Sequence, residues 1–170
     1  MDAMFDIDVK DMCWITEGDD PYDLCAHGNM TATIGNEKFE FSGTVSSTAI
    51  YLLKTLTENH LIGEDNQMMP CCGHFLIAND RLDDVRILGC PNGIDWSVIH
   101  ENDSTIKIIT ESGKETLVNL DEYRKIVYKF ADKVELFYKS CSDKILPADA
   151  LDRDGYIAFW NEWKRRRFNM

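Results

Sequence analysis

The sequence predicts an α+β fold: a mostly antiparallel sheet with three helices, one inserted among the strands and two at the end of the chain. Three observations carry this. Residues 30–41 alternate apolar and polar about a central turn, residues 94–120 hold three strand-like runs broken by turns, and the segments after residue 120 carry apolar side chains at helical spacing. Length and composition place the whole chain, 1–170, in a single domain with enough core to be stable without disulfides.

In chain order, "FDIDV" and "CWITE" read as strands. "NMTATIGNEKFEFSG" follows, with Gly35-Asn36 as a two-residue hairpin turn, since both residues tolerate positive φ. Pairing Ile34 with Glu37 sets Ala32 opposite Phe39 and Met30 opposite Phe41, all on one face. "SSTAIYLLKTLTENHL" then predicts a helix from Thr48 to His60, capped by Ser46 or Ser47, with Ile50, Leu53, Leu56 and Leu61 as its apolar stripe. "HFLIA" and "VRILGC" flank the polar "NDRLDD" as a second hairpin. Pairing Ile77 with Val85 puts Phe75 opposite Ile87, His74 opposite Leu88 and Cys72 opposite Cys90. "DWSVIH", "TIKIIT" and "ETLVNL" form a meander with turns at Asn102-Asp103 and Ser112-Gly113.

"LDEYRKIVYKFADKVELFYKSC" is the strongest helix. Asn119 or Asp121 caps it, and Ile126, Phe130, Val134 and Phe137 line one face. After Pro147, "DRDGYIAFWNEWKRRR" reads as a last helix capped by Asp154, with a basic last turn at the negative end of its dipole. Its Tyr156, Phe159, Trp160 and Trp163 recur at three- and four-residue steps and form a stripe that docks on the sheet.

The formal net charge is −12. Between Met1 and Leu24, Asp2, Asp6, Asp8, Asp11, Glu17, Asp19, Asp20 and Asp23 face only Lys10. Such a field repels nucleic acid and anionic membranes and attracts a basic partner. There is no apolar run of membrane-spanning length, and the acidic N-terminus lacks a signal-peptide pattern. The expected compartment is the cytoplasm, where thiols stay reduced.

No phosphate loop, EF-hand spacing or glycine-rich fingerprint is present. Cys71, Cys72, His74 and Cys90 are the candidate thiol or metal group, and Cys71-x-x-His74 is one ligand pair without a second. Neighbouring strand residues point to opposite faces, so Cys71 and Cys72 reach one ion only if the strand starts later. A Cys72–Cys90 disulfide fits the register but not a reducing cytosol. Cys25 and His27 are two apart on a strand, and the sequence shows no evident third residue to complete a nucleophilic set. No cofactor is expected, and the fold is expected to hold without metal.

The functional expectation is a non-enzymatic binding protein. Asp6, Asp8, Asp11, Asp19 and Asp20 supply the field for a basic protein partner, and Trp14, Tyr22 and Trp96 are the anchor candidates. In size, acidity and lack of a catalytic motif the chain resembles bacterial immunity proteins that neutralise polymorphic or contact-dependent toxins. That resemblance implies inhibition of a basic toxin such as a nuclease, and it assigns no residues. The alternative is a small metal-binding or thiol-dependent domain built on Cys72, His74 and Cys90.

Overall fold

The computed structural model describes residues 5–16, 18–72 and 75–169. Among them the chain runs β1 (Phe5–Cys13), β2 (His27–Ile34), β3 (Glu37–Thr44), α1 (Val45–Lys54), β4 (Phe75–Ala78), β5 (Val85–Leu88), β6 (Trp96–His100), β7 (Thr105–Thr110), β8 (Glu115–Asn119), α2 (Leu120–Ser140) and α3 (Ala150–Phe168). The fold is α+β, as the pattern predicts. The strands divide into three antiparallel sheets, β1-β2-β3, β4-β5 and β6-β7-β8, and do not form one continuous sheet. One core cluster draws side chains from all three sheets and all three helices.

The β2-β3 hairpin has the expected register, with Ile34 opposite Glu37, Ala32 opposite Phe39 and Met30 opposite Phe41. Gly35 sits at φ +62, the conformation its turn demands. β1 pairs with β2 and buries Phe5, Ile7 and Val9, while Asp6 and Asp8 face outward. The expected second strand, "CWITE", does not form. β1 runs on to Cys13 with a register shift after Lys10, and Asp11 turns the chain at φ 54. The Asp23 carboxylate then takes the Ile15 amide, at 2.8 Å, that a ladder would need.

Helix α1 starts before the expected Thr48 and ends well before His60. Ser46 and Ser47 lie inside it, buried, so the N-cap position falls on Thr44, and the amide of Ser46 donates to the Ala26 carbonyl. The helix is buried on nearly every side, which blurs the amphipathic signal that marks helix ends. It stops where Thr55 turns its hydroxyl back to the Leu52 carbonyl and onto the Tyr123 hydroxyl, while His60 leaves to bridge Val98. Leu61, expected on the apolar stripe, is exposed.

The β4-β5 hairpin is shifted by one residue from the expected register. Ala78, not Ile77, pairs with Val85, and Leu76 rather than Phe75 lies opposite Ile87. Asn79 causes the shift. Its amide donates to the Asp84 carbonyl, and its side-chain oxygen accepts from the Asp83 and Asp84 amides, so the loop closes one residue later. A one-residue slip exchanges the faces of a strand. Leu76, Val85 and Ile87 are therefore buried, and Phe75 and Leu88 are exposed.

Asn119 caps α2, accepting from the Asp121 and Glu122 amides. Asp149, not Asp154, caps α3, which thus begins earlier than expected. On α3 Tyr156, Phe159 and Trp163 are buried, and Trp160 packs edge-on against Tyr138. Gly155 lets β4 approach this helix: an added Cβ would lie 2.0 Å from the Leu76 carbonyl oxygen. Replacing a helical glycine by alanine ordinarily gains about 1 kcal/mol. Here the clash is with backbone, and overpacking of this kind costs about 1–3 kcal/mol. Gly155→Ala is expected to lower the urea-unfolding free energy, and a gain in stability would show that helix and strand are not in tight contact.

Candidate functional site

The N-terminal carboxylates divide into two groups. Asp6 and Asp8 stand on the outer face of β1, and Asp11 at its bend accepts from the Asn29 side chain at 3.1 Å. Partial burial raises the Asp8 carboxyl, but the Lys133 ammonium at 2.9 Å and the Val9 amide more than offset this and hold it low. Asp2 and Glu17 lie outside the described residues.

Asp19, Asp20 and Asp23 belong instead to the loop between β1 and β2, and they fasten it. Asp19 accepts from the Ser142 hydroxyl at 2.6 Å and the Ser142 amide at 2.8 Å. Asp20 accepts from the Tyr22 amide, and Asp23 from the Ile15 and Cys25 amides. Lys144 donates to the Asp20 carbonyl at 2.6 Å and lies 3.2 Å from the centre of the Trp14 ring. Trp14, expected as an exposed anchor, is buried against Phe137 and Tyr138. Trp96 is likewise unavailable as an anchor: it is fully buried and meets Phe5 edge-on. Only Tyr22 of the three aromatic candidates reaches solvent, at 70 % exposure.

Tyr22 forms one lip of a cleft of about 360 Å³ lined by Tyr22, Asp23, Leu24, Cys25, Phe75, Leu76, Pro147 and Asp152. Three elements build it: the loop before β2, the start of β4, and the α2–α3 connection with the first turn of α3. The Ile145 amide, donating to the Pro21 carbonyl at 2.9 Å, ties the connection to the loop. Phe75, the opposite aromatic, is 51 % exposed. Ile145, Leu146 and Leu151, on the α2–α3 connection and in the first turn of α3, are about as exposed. Among the described residues, two carboxylates and no Lys or Arg line the cleft. The sequence pattern hides Phe75 because the expected register puts it on the buried face of Val85 and Ile87, and hides Asp152 because the expected α3 begins after it.

A larger groove, about 530 Å³, lies between α2 and α3, with Tyr138, Tyr156, Trp160 and Phe168 beside Lys139, Lys144 and Lys164. Of its cations, Lys139 pairs with Glu135 at 2.7 Å and Lys144 engages Trp14 and the Asp20 carbonyl. Elsewhere His60 and Asp95 meet at 2.7 Å, but the same Asp95 oxygen also accepts from the Met68 and Trp96 amides. That pair braces the backbone.

The thiols converge as the hairpin ends. Cys71, Cys72 and Cys90 lie within 4.8 Å of one another, and the Cys72 and Cys90 sulfurs are 2.9 Å apart. β4 begins only at Phe75, so Cys71 and Cys72 escape strand alternation and share one side. The closeness of Cys72 and Cys90 is as expected, but neither lies in a strand, so it is not a cross-strand pair. His74 lies outside the described residues. Burial pushes the Cys25 thiol up to about 12, with Asp23 adding to the effect, which opposes the thiolate a nucleophile needs.

No protein-family model, curated protein or solved structure matches the chain. No helix among the described residues is long and apolar enough to cross a membrane.

The Asp19 latch carries a pH dependence. The Ser142 hydroxyl, then its amide, hold the Asp19 carboxyl below the usual range. A carboxyl whose folded value lies below its unfolded value, about 3.9, stabilises fully above that pH and loses the contribution as pH falls through the folded value. An NMR titration of Asp19 is expected to give a midpoint below about 3.9 that rises in Ser142→Ala. An unchanged midpoint in that variant would remove Ser142 as the cause.

Proposed function

We propose that the protein is a non-enzymatic binding protein that occupies a basic surface of a protein partner, an inhibitor of the immunity-protein kind acting in the cytoplasm. The cleft carries this reading: two exposed aromatic side chains, Tyr22 and Phe75, line it together with Asp23 and Asp152. An Arg or Lys side chain suits it, with its stem between the rings and its charge toward the acids. Exposed apolar side chains close to such a pocket match the make-up of an interface core. Asp6, Asp8 and Asp11 act at longer range, raising the encounter rate with a cationic surface.

The two roles separate kinetically. Tyr22→Ala and Phe75→Ala are expected to weaken binding by about 30-fold or more, mainly through faster dissociation. Replacing Asp6, Asp8 and Asp11 together by asparagine should slow association at low salt and change dissociation little. Added salt should slow association in the same way, since the Debye length is only about 8 Å at physiological ionic strength. Stopped-flow measurements with the captured partner test both. An acidic partner, or one indifferent to Tyr22 and Phe75, would contradict the proposal.

A further inference from the structure

We infer that Cys71, Cys72 and Cys90 form a three-thiolate site for a soft metal ion, monovalent copper or divalent zinc. Sulfurs bound at about 2.3 Å stand about 3.8 Å apart around a tetrahedral ion and about 4.0 Å apart around a trigonal one. The three sulfurs already lie on that scale, with Cys72 and Cys90 2.9 Å apart and every pair within 4.8 Å. Small side-chain rotations therefore close the set on one ion. All three residues are partly exposed, so an ion reaches them from solvent.

The backbone favours this arrangement. Cys71 and Cys72 approach β4 and Cys90 leaves β5, so an ion here would cross-link the two ends of the hairpin. The Cys90 amide already donates to the Cys72 sulfur at 3.1 Å, a hydrogen bond of the kind that orients a thiolate toward an ion. Each thiol that binds gives up its proton to solvent. Soft thiolates select copper(I) and zinc over magnesium, calcium and manganese. Three ligands complete a trigonal copper(I) site, whereas on zinc they leave a fourth position for water. A Cys72–Cys90 disulfide would give the convergent third thiol no part.

The test uses the reduced full-length protein under nitrogen, titrated in separate arms with copper(I) against a competing chelator, with zinc, and with magnesium as a control. The expected result is one equivalent of copper or zinc and none of magnesium. Alkylation and mass spectrometry should show Cys71, Cys72 and Cys90 protected by the ion. Cys72→Ser and Cys90→Ser should each weaken affinity by about 100-fold or more, beyond what loss of an outer-shell partner costs. Cys13→Ser and Cys141→Ser should bind as wild type, with circular dichroism verifying that every variant folds. Less than one equivalent in the wild type, protection of other cysteines, or a reduced protein that takes up no metal and only forms a disulfide in air would overturn the inference.

Discussion

A carboxylate with no exposed surface joins the parts of this molecule. Glu162 of α3 accepts from the Val85 amide at 2.7 Å, the Lys54 ammonium at 2.8 Å and the Arg166 guanidinium at 2.7 Å. Taking such a charge out of water costs several kcal/mol, and only close partners offset it. Here two cations and a backbone donor do so from three elements: α1, α3 and β5. Arg166 is itself satisfied, reaching Thr57 and Glu58 as well. Burial works against its charge, and Glu162 with Glu58 outweighs that and raises its pKa further.

The β4-β5 hairpin shows why this matters. Among the described residues it has two strands of four residues each and no hydrogen-bonded neighbour sheet, and a lone hairpin of that size is marginal in water. α3 holds it at three places. Gly155 admits the Leu76 backbone, Glu162 takes the Val85 amide, and Asn161 and Arg165 donate to the Leu82 and Asp83 carbonyls at the hairpin's loop. With the loop gripped, the other end of the hairpin is placed, and both candidate sites lie there. Phe75 lines the acidic cleft, and Cys72 and Cys90 meet beyond the strand ends. The geometry proposed for function is thus a consequence of a polar joint some distance along the same hairpin.

Much of this was legible in the residues. Gly35-Asn36 set the first hairpin register, and the alternation of Met30, Ala32 and Ile34 set its buried face. Asn119 and the stripe of Phe130 and Val134 marked α2, and the aromatic steps of α3 pointed to a docked helix. Misreadings arose where tertiary contacts replace local signals. Helix α1 is buried almost all round, so its ends carry no periodic mark. Asn79 closes its loop through side-chain bonds that hydrophobic pattern does not reveal, and the resulting slip turned Phe75 to solvent. The sequence left open whether the acidic N-terminal run clusters, because charge in sequence says nothing of its partners in space. Asp19, Asp20 and Asp23 fasten a loop, while Asp6 and Asp8 face outward. Trp14 and Trp96 were attractive anchors by residue type, and both belong to the core. Glu162 gave no signal at all, being one acid among many on a charged helix.

The central claim is that Glu162 fastens the hairpin to the helices. Native-state hydrogen exchange in Glu162→Gln tests it residue by residue. Loss of one partner from a buried ion pair costs about 3–5 kcal/mol, so the Val85 amide and the β4-β5 ladder should exchange at least about 100-fold faster. The β2 and β7 amides, held by their own sheets, should change far less. Equal acceleration across all three sheets would contradict the account, since Glu162 would then support the fold at large and not this joint.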